Sequence, residues 1–460
     1  MIRKNRLAIF FIFAFIAING LPLFAALNSY NLEENFFPIH MNDSVAKNEG
    51  EFYTISLMTI APGSRLFEVY LWWGHTALIV EDNRTNEKYI YDFGLFSIPE
   101  SQLVVTFFKG QIDYIVASTP GRYLEAMINN FLHDSRWVVI QPLQLEPQKA
   151  YALSHYLKTN CKKENRIYKY KFYTENCCTK IRDLLNFATD GALYQYTNKL
   201  TEKTLRGKTQ EYVAKSFMVD WSLQYFLSSE IDKPATRWEH LFLPYELMRA
   251  VSELKYKDST GRTVELSGAP SQQLPPGKLK ELAKYGISGS QGVFAGDPAV
   301  IKTGKSKTWI LALLFGVIVG TVAATLFLLG TKSLAVRVIG GIYMGIIILV
   351  LFLLSLILCY LAFVSIHTIT HNNLNLILIN PITMLIAFVL TILYGANVKK
   401  SQIIYTWFWV IMSVGAITML VLDLCNVFIQ DCRSTTLAVL PLFLFMAISG
   451  LFRDRFTKAQ

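Results

Sequence analysis

Apolar and polar positions change their rhythm several times along the 460-residue chain. From 51 to about 120 they alternate or run in short β-branched blocks. This predicts strands at Phe52–Ile60, Tyr70–Glu81, Lys88–Phe93 and Tyr114–Ser118. Turn-rich Asp82–Glu87 makes the middle two an antiparallel hairpin. Helices are predicted over Arg122–His133 and Glu146–Asn160, the second with Pro147 in its first turn, and a strand over Trp137–Leu145 lies between them. A further helix opens at Cys177, and 200–254 is mostly helical with breaks at Pro234 and Pro244. Residues 255–307 are polar and rich in Gly, Ser, Pro and Lys, the pattern of a linker or loosely packed extension. Runs of membrane-spanning length follow near 308–330, 338–364, 376–396, 403–423 and 434–452.

Composition fits this division. With 52% hydrophobic and 17% charged residues, the chain is too apolar for one soluble enzyme and too polar for membrane alone. The net charge of +10 does not call for nucleic acid, because many basic residues flank apolar runs. Lys332/Arg337, Lys399/Lys400 and Arg453/Arg455/Lys458 fall on alternate loops, the same side as basic Arg3, Lys4 and Arg6. By the positive-inside rule these face the cytoplasm, and the 27–307 region with loops 367–375 and 424–433 lies outside. Residues 1–26 have the layout of a secretory leader, a basic start, a short apolar core and Ala25-Ala26. The expected order is a signal peptide at 1–26, a periplasmic domain at 27–255, a linker or extension at 256–307 and a transmembrane domain at 308–460. Six cysteines with no CxxC spacing make neither a disulfide framework nor a zinc ribbon.

One stretch carries chemistry, Tyr173-Thr-Glu-Asn-Cys-Cys-Thr-Lys-Ile-Arg-Asp183. Asn176 is a natural N-cap, and a thiol in the first turn of a helix leans towards thiolate. On a helical wheel the apolar residues centre near Cys177, with Cys178 roughly 70° further round. A cysteine nucleophile needs a base and a group to orient that base. His75, on a strand after Trp72-Trp73-Gly74, is the candidate base. Asp92, on the partner strand of the hairpin, is the candidate orienter. Arg182 and Asp183 read equally well as a surface pair and as a brace for the neighbouring loops. His367 and His371 have i, i+4 spacing on a loop, too few ligands for zinc, and neither metal nor cofactor is expected. His371 and Asn373 either bind a lipid headgroup or solvate a loop between spans.

Trp73-Gly-His-Thr-Ala-Leu78, Tyr91-Asp-Phe-Gly-Leu-Phe96, Tyr168-Lys-Tyr-Lys-Phe172, Asn176-Cys-Cys-Thr-Lys-Ile-Arg-Asp183 and Phe242-Leu-Pro244 resemble the Lnb-type bacterial lipoprotein N-acyltransferases. The likeness covers about 50–255, and a multi-span C-terminus fits it. The His-before-Cys order is similar to the circularly permuted NlpC/P60 class. The resemblance implies an α+β periplasmic domain, a permuted papain-like antiparallel sheet packed on helices, followed by an all-α bundle of about five transmembrane helices. It implies an inner-membrane enzyme whose catalytic residues are Cys177, His75 and Asp92, supported by Asn176, Gly74, Cys178 and Arg182. Cys178 stands where Ala, Ser or Thr is expected. A phospholipid would acylate Cys177, and the α-amine of a diacylglyceryl lipoprotein would take the chain. Both substrates are membrane-anchored, so Trp72, Trp73 and Phe107-Phe108 become candidate lipid contacts. Two alternatives remain open from the residues, a membrane-tethered cysteine amidase or peptidase acting on cell-wall peptide, and a non-enzymatic lipid-binding protein.

The charge pattern generates a topology test. A cysteine introduced at 270–280 should react with an impermeant maleimide in intact spheroplasts, and protection there would reverse the orientation.

Overall fold

The computed structural model describes residues 43–63, 68–96, 106, 113–267, 293–295, 304, 306–397 and 399–458. The expected leader, the Phe107-Phe108 pair and most of the polar stretch after 267 lie outside the described residues. The chain divides into two compact units. One comprises 39–217 and 231–306; the other takes in 218–230 together with the chain from 307 onwards.

In the first unit the elements run α1 (Asp43–Gly50), β1 (Tyr53–Ile60), β2 (His75–Asp82), β3 (Glu87–Phe96), β4 (Asp113–Pro120), α2 (Leu124–His133), β5 (Val138–Pro142), α3 (Pro147–Asn160), β6 (Ile167–Lys169) and α4 (Cys177–Ala188). Then come α5 (Ala192–Thr197), β7 (Leu200–Thr204), α6 (Leu205–Val213), β8 (Pro234–Thr236), α8 (Arg237–His240), α9 (Pro244–Glu253), β9 (Lys255–Lys257), β10 (Thr263–Glu265) and β11 (Val293–Ala295), with α7 (Phe217–Phe226) interposed after α6. Seven strands form one sheet in the order β11-β5-β1-β2-β3-β4-β6, every neighbour antiparallel. Met58, Ile60, Ala77, Ile79 and Ile90 turn one face towards Leu124, Met127, Ile128 and Phe131 of α2. The alternating residues Leu57 and Leu78 are wholly buried and turn to the opposite face, where α3, α4 and α9 pack. This is an α+β domain built on an antiparallel sheet.

Three sequence expectations need correction. The strand predicted from Tyr70 begins only at His75: Val69–Leu71 is a 3-10 turn, and Gly74 at φ +85° re-aims the chain. A side chain at Gly74 would meet the Ile60 carbonyl at 2.6 Å, so the tight entry into β2 requires glycine. The stretch after 255 is no simple linker. β9 and β10 form a hairpin, Leu266 is wholly buried, the Tyr256 hydroxyl donates to the Gln144 carbonyl at 2.8 Å, and β11 extends the main sheet. Its turn residues mask this, because among the described residues of 255–267 only Tyr256 and Leu266 are buried. Finally, 218–230 belongs to the second unit, not to the periplasmic domain.

Among its described residues the second unit contains five spans long and apolar enough to cross a membrane. The spans are Thr308–Leu329 (α10), Leu334–Phe363 (α11), Thr368–Gly395, which ends in the regular helix α12 (Pro381–Gly395), Ser401–Leu424 within α13 (Lys399–Leu424) and Arg433–Arg453 within α14 (Arg433–Lys458), close to the five apolar runs read from sequence. Gly316 and Gly320 bring α10 against α14: added Cβ atoms would lie 2.5 Å from the Ala438 carbonyl oxygen and 2.9 Å from Leu442 Cα. This small-xxx-small spacing lets two apolar helices approach closely where no hydrophobic force drives them together.

The buried position of Leu266 makes a direct test of the domain boundary. Leu266→Ala should cost about 2–5 kcal/mol, the usual range for a large-to-small core change. Thermal unfolding of the purified protein would show it as a lowered transition for the sheet domain, whereas a linker residue would leave that transition in place.

Candidate active site

The site is assembled at the start of β2 and the start of α4. Asn176 caps α4 in extended geometry, its Oδ1 accepting from the Cys178 N–H at 2.9 Å and the Thr179 N–H at 2.8 Å. Thr179 returns the bond, its hydroxyl accepting from the Asn176 N–H at 2.8 Å, which completes a capping box. The other end of the Asn176 side chain donates to the Phe172 and Phe242 carbonyls at 2.9 and 3.0 Å. One amide thus fixes the helix, the turn leading to it and the segment before α9. The Cys177 N–H, by contrast, has no partner among the described residues.

Helix α4 packs on β2 and β3, and this brings Cys177 to His75. The β2–β3 register pairs Ala77 with Asp92, and continuing it sets Gly94 opposite His75. Asp92 is then the diagonal neighbour of His75 on the same face. Its Oδ1 lies 2.8 Å from His75 Nε2 and accepts the Gly94 N–H at 2.6 Å. With Nε2 committed to Asp92, Nδ1 is the ring nitrogen left for the thiol. Burial opposes a charge on the ring, but Asp92 and Cys177 outweigh it and hold His75 protonated well above the ordinary histidine range. Burial likewise pushes Asp92 up, and the charge and hydrogen bond of His75, with the Gly94 N–H, bring it below the usual carboxylate range. By linkage, the His75 contribution to stability is present below the ordinary histidine pKa and lost as pH rises through its raised value. The Asp92 contribution is present above the ordinary aspartate pKa and lost as pH falls through its lowered value.

The two cysteines have different surroundings. Cys178 is wholly buried against Thr76, and burial, then the neighbouring Cys177, pushes its thiol well up. Cys177 is half-buried and is the one that meets His75. The wheel placed Cys177 towards the interior, but the helix is enclosed on nearly every side, from Cys178 through Ala188, so Cys178 takes the core position and Cys177 the mouth.

The remaining predicted residues are placed as follows. Arg182 is buried, bonded to the Asp183 carboxylate at 2.8 Å and set 4.1 Å over the Trp238 ring, so it braces α4 against α8. Trp72 is a core residue with the Lys215 ammonium 4.1 Å over its ring. Trp73 packs edge-on against Phe172, centroids 4.9 Å apart. His371 and Asn373 belong to the membrane unit. His371 Nε2 is bonded to the Ser365 carbonyl at 2.7 Å, while Asn373 is buried, donating to the Tyr225 carbonyl and accepting from Gln430. The Asn373 amide is thereby spent within the unit.

Sequence reasoning gave no role to the tyrosines around the thiol. Tyr114 and Tyr170 stack with centroids 4.2 Å apart, and Tyr168 lies 6.0 Å from Tyr114. Burial above all raises the three phenols above their ordinary range. The signal was present as the alternation Tyr168-Lys-Tyr170, which sets two phenols on one face of an edge strand.

Residues 47–207, which hold His75, Asp92, Asn176, Cys177, Cys178, Arg182 and the three tyrosines, match the family model described as the Lnb N-terminal periplasmic domain. This domain belongs to the Lnb family. No curated protein and no solved structure matches the chain. With the five apolar helices, the Lnb domain makes this a membrane protein with a periplasmic domain, of the kind expected for an Lnb-type membrane enzyme.

The difference in burial between the adjacent thiols of the Lnb domain predicts selective labelling. Brief treatment of the native protein with iodoacetamide should modify Cys177 and leave Cys178 unmodified, read by peptide mass spectrometry. Equal labelling of both would remove the distinction.

Proposed function

We propose that the protein is a lipoprotein N-acyltransferase of the bacterial inner membrane, moving a fatty acyl chain from a phospholipid through a Cys177 thioester to the α-amine of an N-terminal diacylglyceryl-cysteine. The observation that carries the reading is His75 bonded to Asp92, with Cys177 near enough to help hold the ring's charge, in a domain of the Lnb family.

In this mechanism the Cys177 thiolate attacks the ester carbonyl carbon. The Cys177 N–H, unclaimed by the helix cap, donates to the developing oxyanion, and such a donor is worth roughly 10²–10³ in rate. His75 gives its proton to the departing glycerol oxygen as the C–O bond breaks, and the lysophospholipid leaves. The neutral ring then takes a proton from the lipoprotein amine as it attacks the thioester. The C–S bond breaks, and the amide product leaves behind the starting thiolate and imidazolium. Asp92 keeps the ring in one orientation throughout. The aromatic surroundings of the thiol (Tyr114, Tyr168, Tyr170 and Trp73) limit water, which lets an amine compete with hydrolysis.

The reading makes graded predictions for single-turnover acylation of Cys177 and transfer to a diacylglyceryl peptide. Cys177→Ala should be inactive and Cys178→Ala should retain most activity. His75→Ala should lose both steps by roughly 10²–10⁴-fold, the scale of a positioned acid–base group. Asp92→Asn should lose less than His75→Ala, and Asp92→Ala more than Asp92→Asn. In cells, mass spectrometry of lipoprotein N-termini should show the third acyl chain only when active protein is present. An unchanged lipoprotein pattern in a strain dependent on this gene would sink the acyl-transfer assignment.

A further inference from the structure

We propose that Tyr168 is a positioning residue for the site, its phenol locking the bulge in β3 that holds the Asp92 carboxylate on the His75 ring. The inference rests on the reading of His75 and Asp92 as a working pair, and deepens it.

The argument begins with the strand. The β3–β4 ladder pairs Asp92 with Ala117 and next pairs Leu95 with Ile115. Three steps on β3 therefore face two on β4, and the extra residue makes a bulge at Phe93-Gly94. Neither residue has a place in the paired register. Two interactions replace the missing ladder. The Gly94 N–H donates to Asp92 Oδ1 at 2.6 Å, and the Tyr168 hydroxyl donates to the Phe93 carbonyl. The same Oδ1 holds His75. The carboxylate, the bulge and the imidazole thus form one connected unit, and the phenol is the only side-chain group bonded to the bulge backbone from outside β3 among the described residues.

Gly94 explains why the bulge must stay where it is. An added Cβ would lie 2.2 Å from His75 Cε1 and 3.0 Å from Nε2. The ring occupies the space that a side chain directly across the strand pair would fill. A shift of the bulge by a fraction of an ångström would drive backbone into the ring or draw the carboxylate off it. Tyr168 is itself well seated for restraint. It lies on β6 opposite Tyr114, its ring 6.4 Å from that of Phe93, with the Lys180 ammonium of α4 5.3 Å over its face. The restraint thereby ties the bulge to the edge strand and to the cysteine helix.

Tyr168→Phe removes one hydroxyl and keeps every ring contact. The readout is the titration of His75 in the full-length protein in detergent, followed by NMR with ¹³C-labelled histidine and assigned with His75→Ala. Asp92→Ala sets the scale, since losing a neighbouring opposite charge moves a pKa by about 1–3 units. Tyr168→Phe should lower the His75 midpoint by part of that amount, and Gly94→Ala should lower it too by displacing the ring. In an Asp92→Ala background Tyr168→Phe should add nothing, because its effect passes through the carboxylate. A wild-type His75 midpoint in Tyr168→Phe, with Asp92→Ala shifted, would overturn the proposal and leave the Cys–His reading intact. An unshifted midpoint in Asp92→Ala would overturn both the pairing and the role of Tyr168. A lowered midpoint in a protein with no transfer activity would support the positioning role and count against acyl transfer alone.

Discussion

A charged imidazole set into the wall of a sheet is costly unless opposite charge meets it within hydrogen-bond reach. The Asp92 carboxylate, 2.8 Å from the His75 ring, meets this requirement. Asp92 is fixed by the strand register, and Cys177 is fixed by the helix packed on β2 and β3. If the register slipped by one residue, Asp92 would pass to the other face of β3, because side chains alternate with period two. The ring would then keep burial, which opposes its charge, and lose the carboxylate that sustains it. The wholly apolar packing of Leu57, Leu78 and Ile90 in the centre of the sheet guards against that slip.

Asn176 solves a different problem. Helix termini leave N–H groups without partners, and a cap normally satisfies one of them. Here Oδ1 takes two, from Cys178 and Thr179, and leaves the N–H of Cys177 available where an oxyanion would form. The Nδ2 end spends both its protons on carbonyls from separate segments. Aspartate could accept the helix bonds but could not donate to Phe172 and Phe242. Serine could cap but could not span both sides. The residue type is therefore dictated by three segments at once, which is why Asn-Cys is informative while the second cysteine of the pair is core packing.

The sequence pattern made the central hairpin, the capped helix and the five spans legible because each is a local signal: alternation, an Asn before an apolar-periodic run, or long apolar windows. The meeting of His75 with Asp92 was legible for the same reason, since a short turn fixes how the two strands pair. What escaped was non-local. The extra residue at Phe93-Gly94 has no signature until β4 pairs with β3. The phenols of Tyr114 and Tyr170 lie far apart in sequence and meet only through β6. The wheel for α4 assumed one wet face, whereas Arg182, Asp183 and Asn186 are buried too, satisfied by neighbouring groups.

The segment 218–230 shows the same limitation in an apolar setting. Its helix α7 carries Asp220 and Gln224 at i, i+4, which reads as a polar face in water. In the membrane unit that face is matched inside the protein. Asp220 accepts from Gln224 at 2.8 Å and from the Thr308 hydroxyl at 2.6 Å, and the Tyr225 carbonyl accepts from the Asn373 and Asn375 amides, each at 3.0 Å. The Ser228 N–H donates to the Ile369 carbonyl at 2.8 Å. Each of these groups would be expensive to leave unmet away from water, and together they specify one seat for the segment. The polar residues of loop 367–375 thus have a structural explanation in bonds to 218–230. Among the described residues the chain also crosses between its two units at 217/218, at 230/231 and at 306/307, three covalent ties where the sequence pattern alone indicated one.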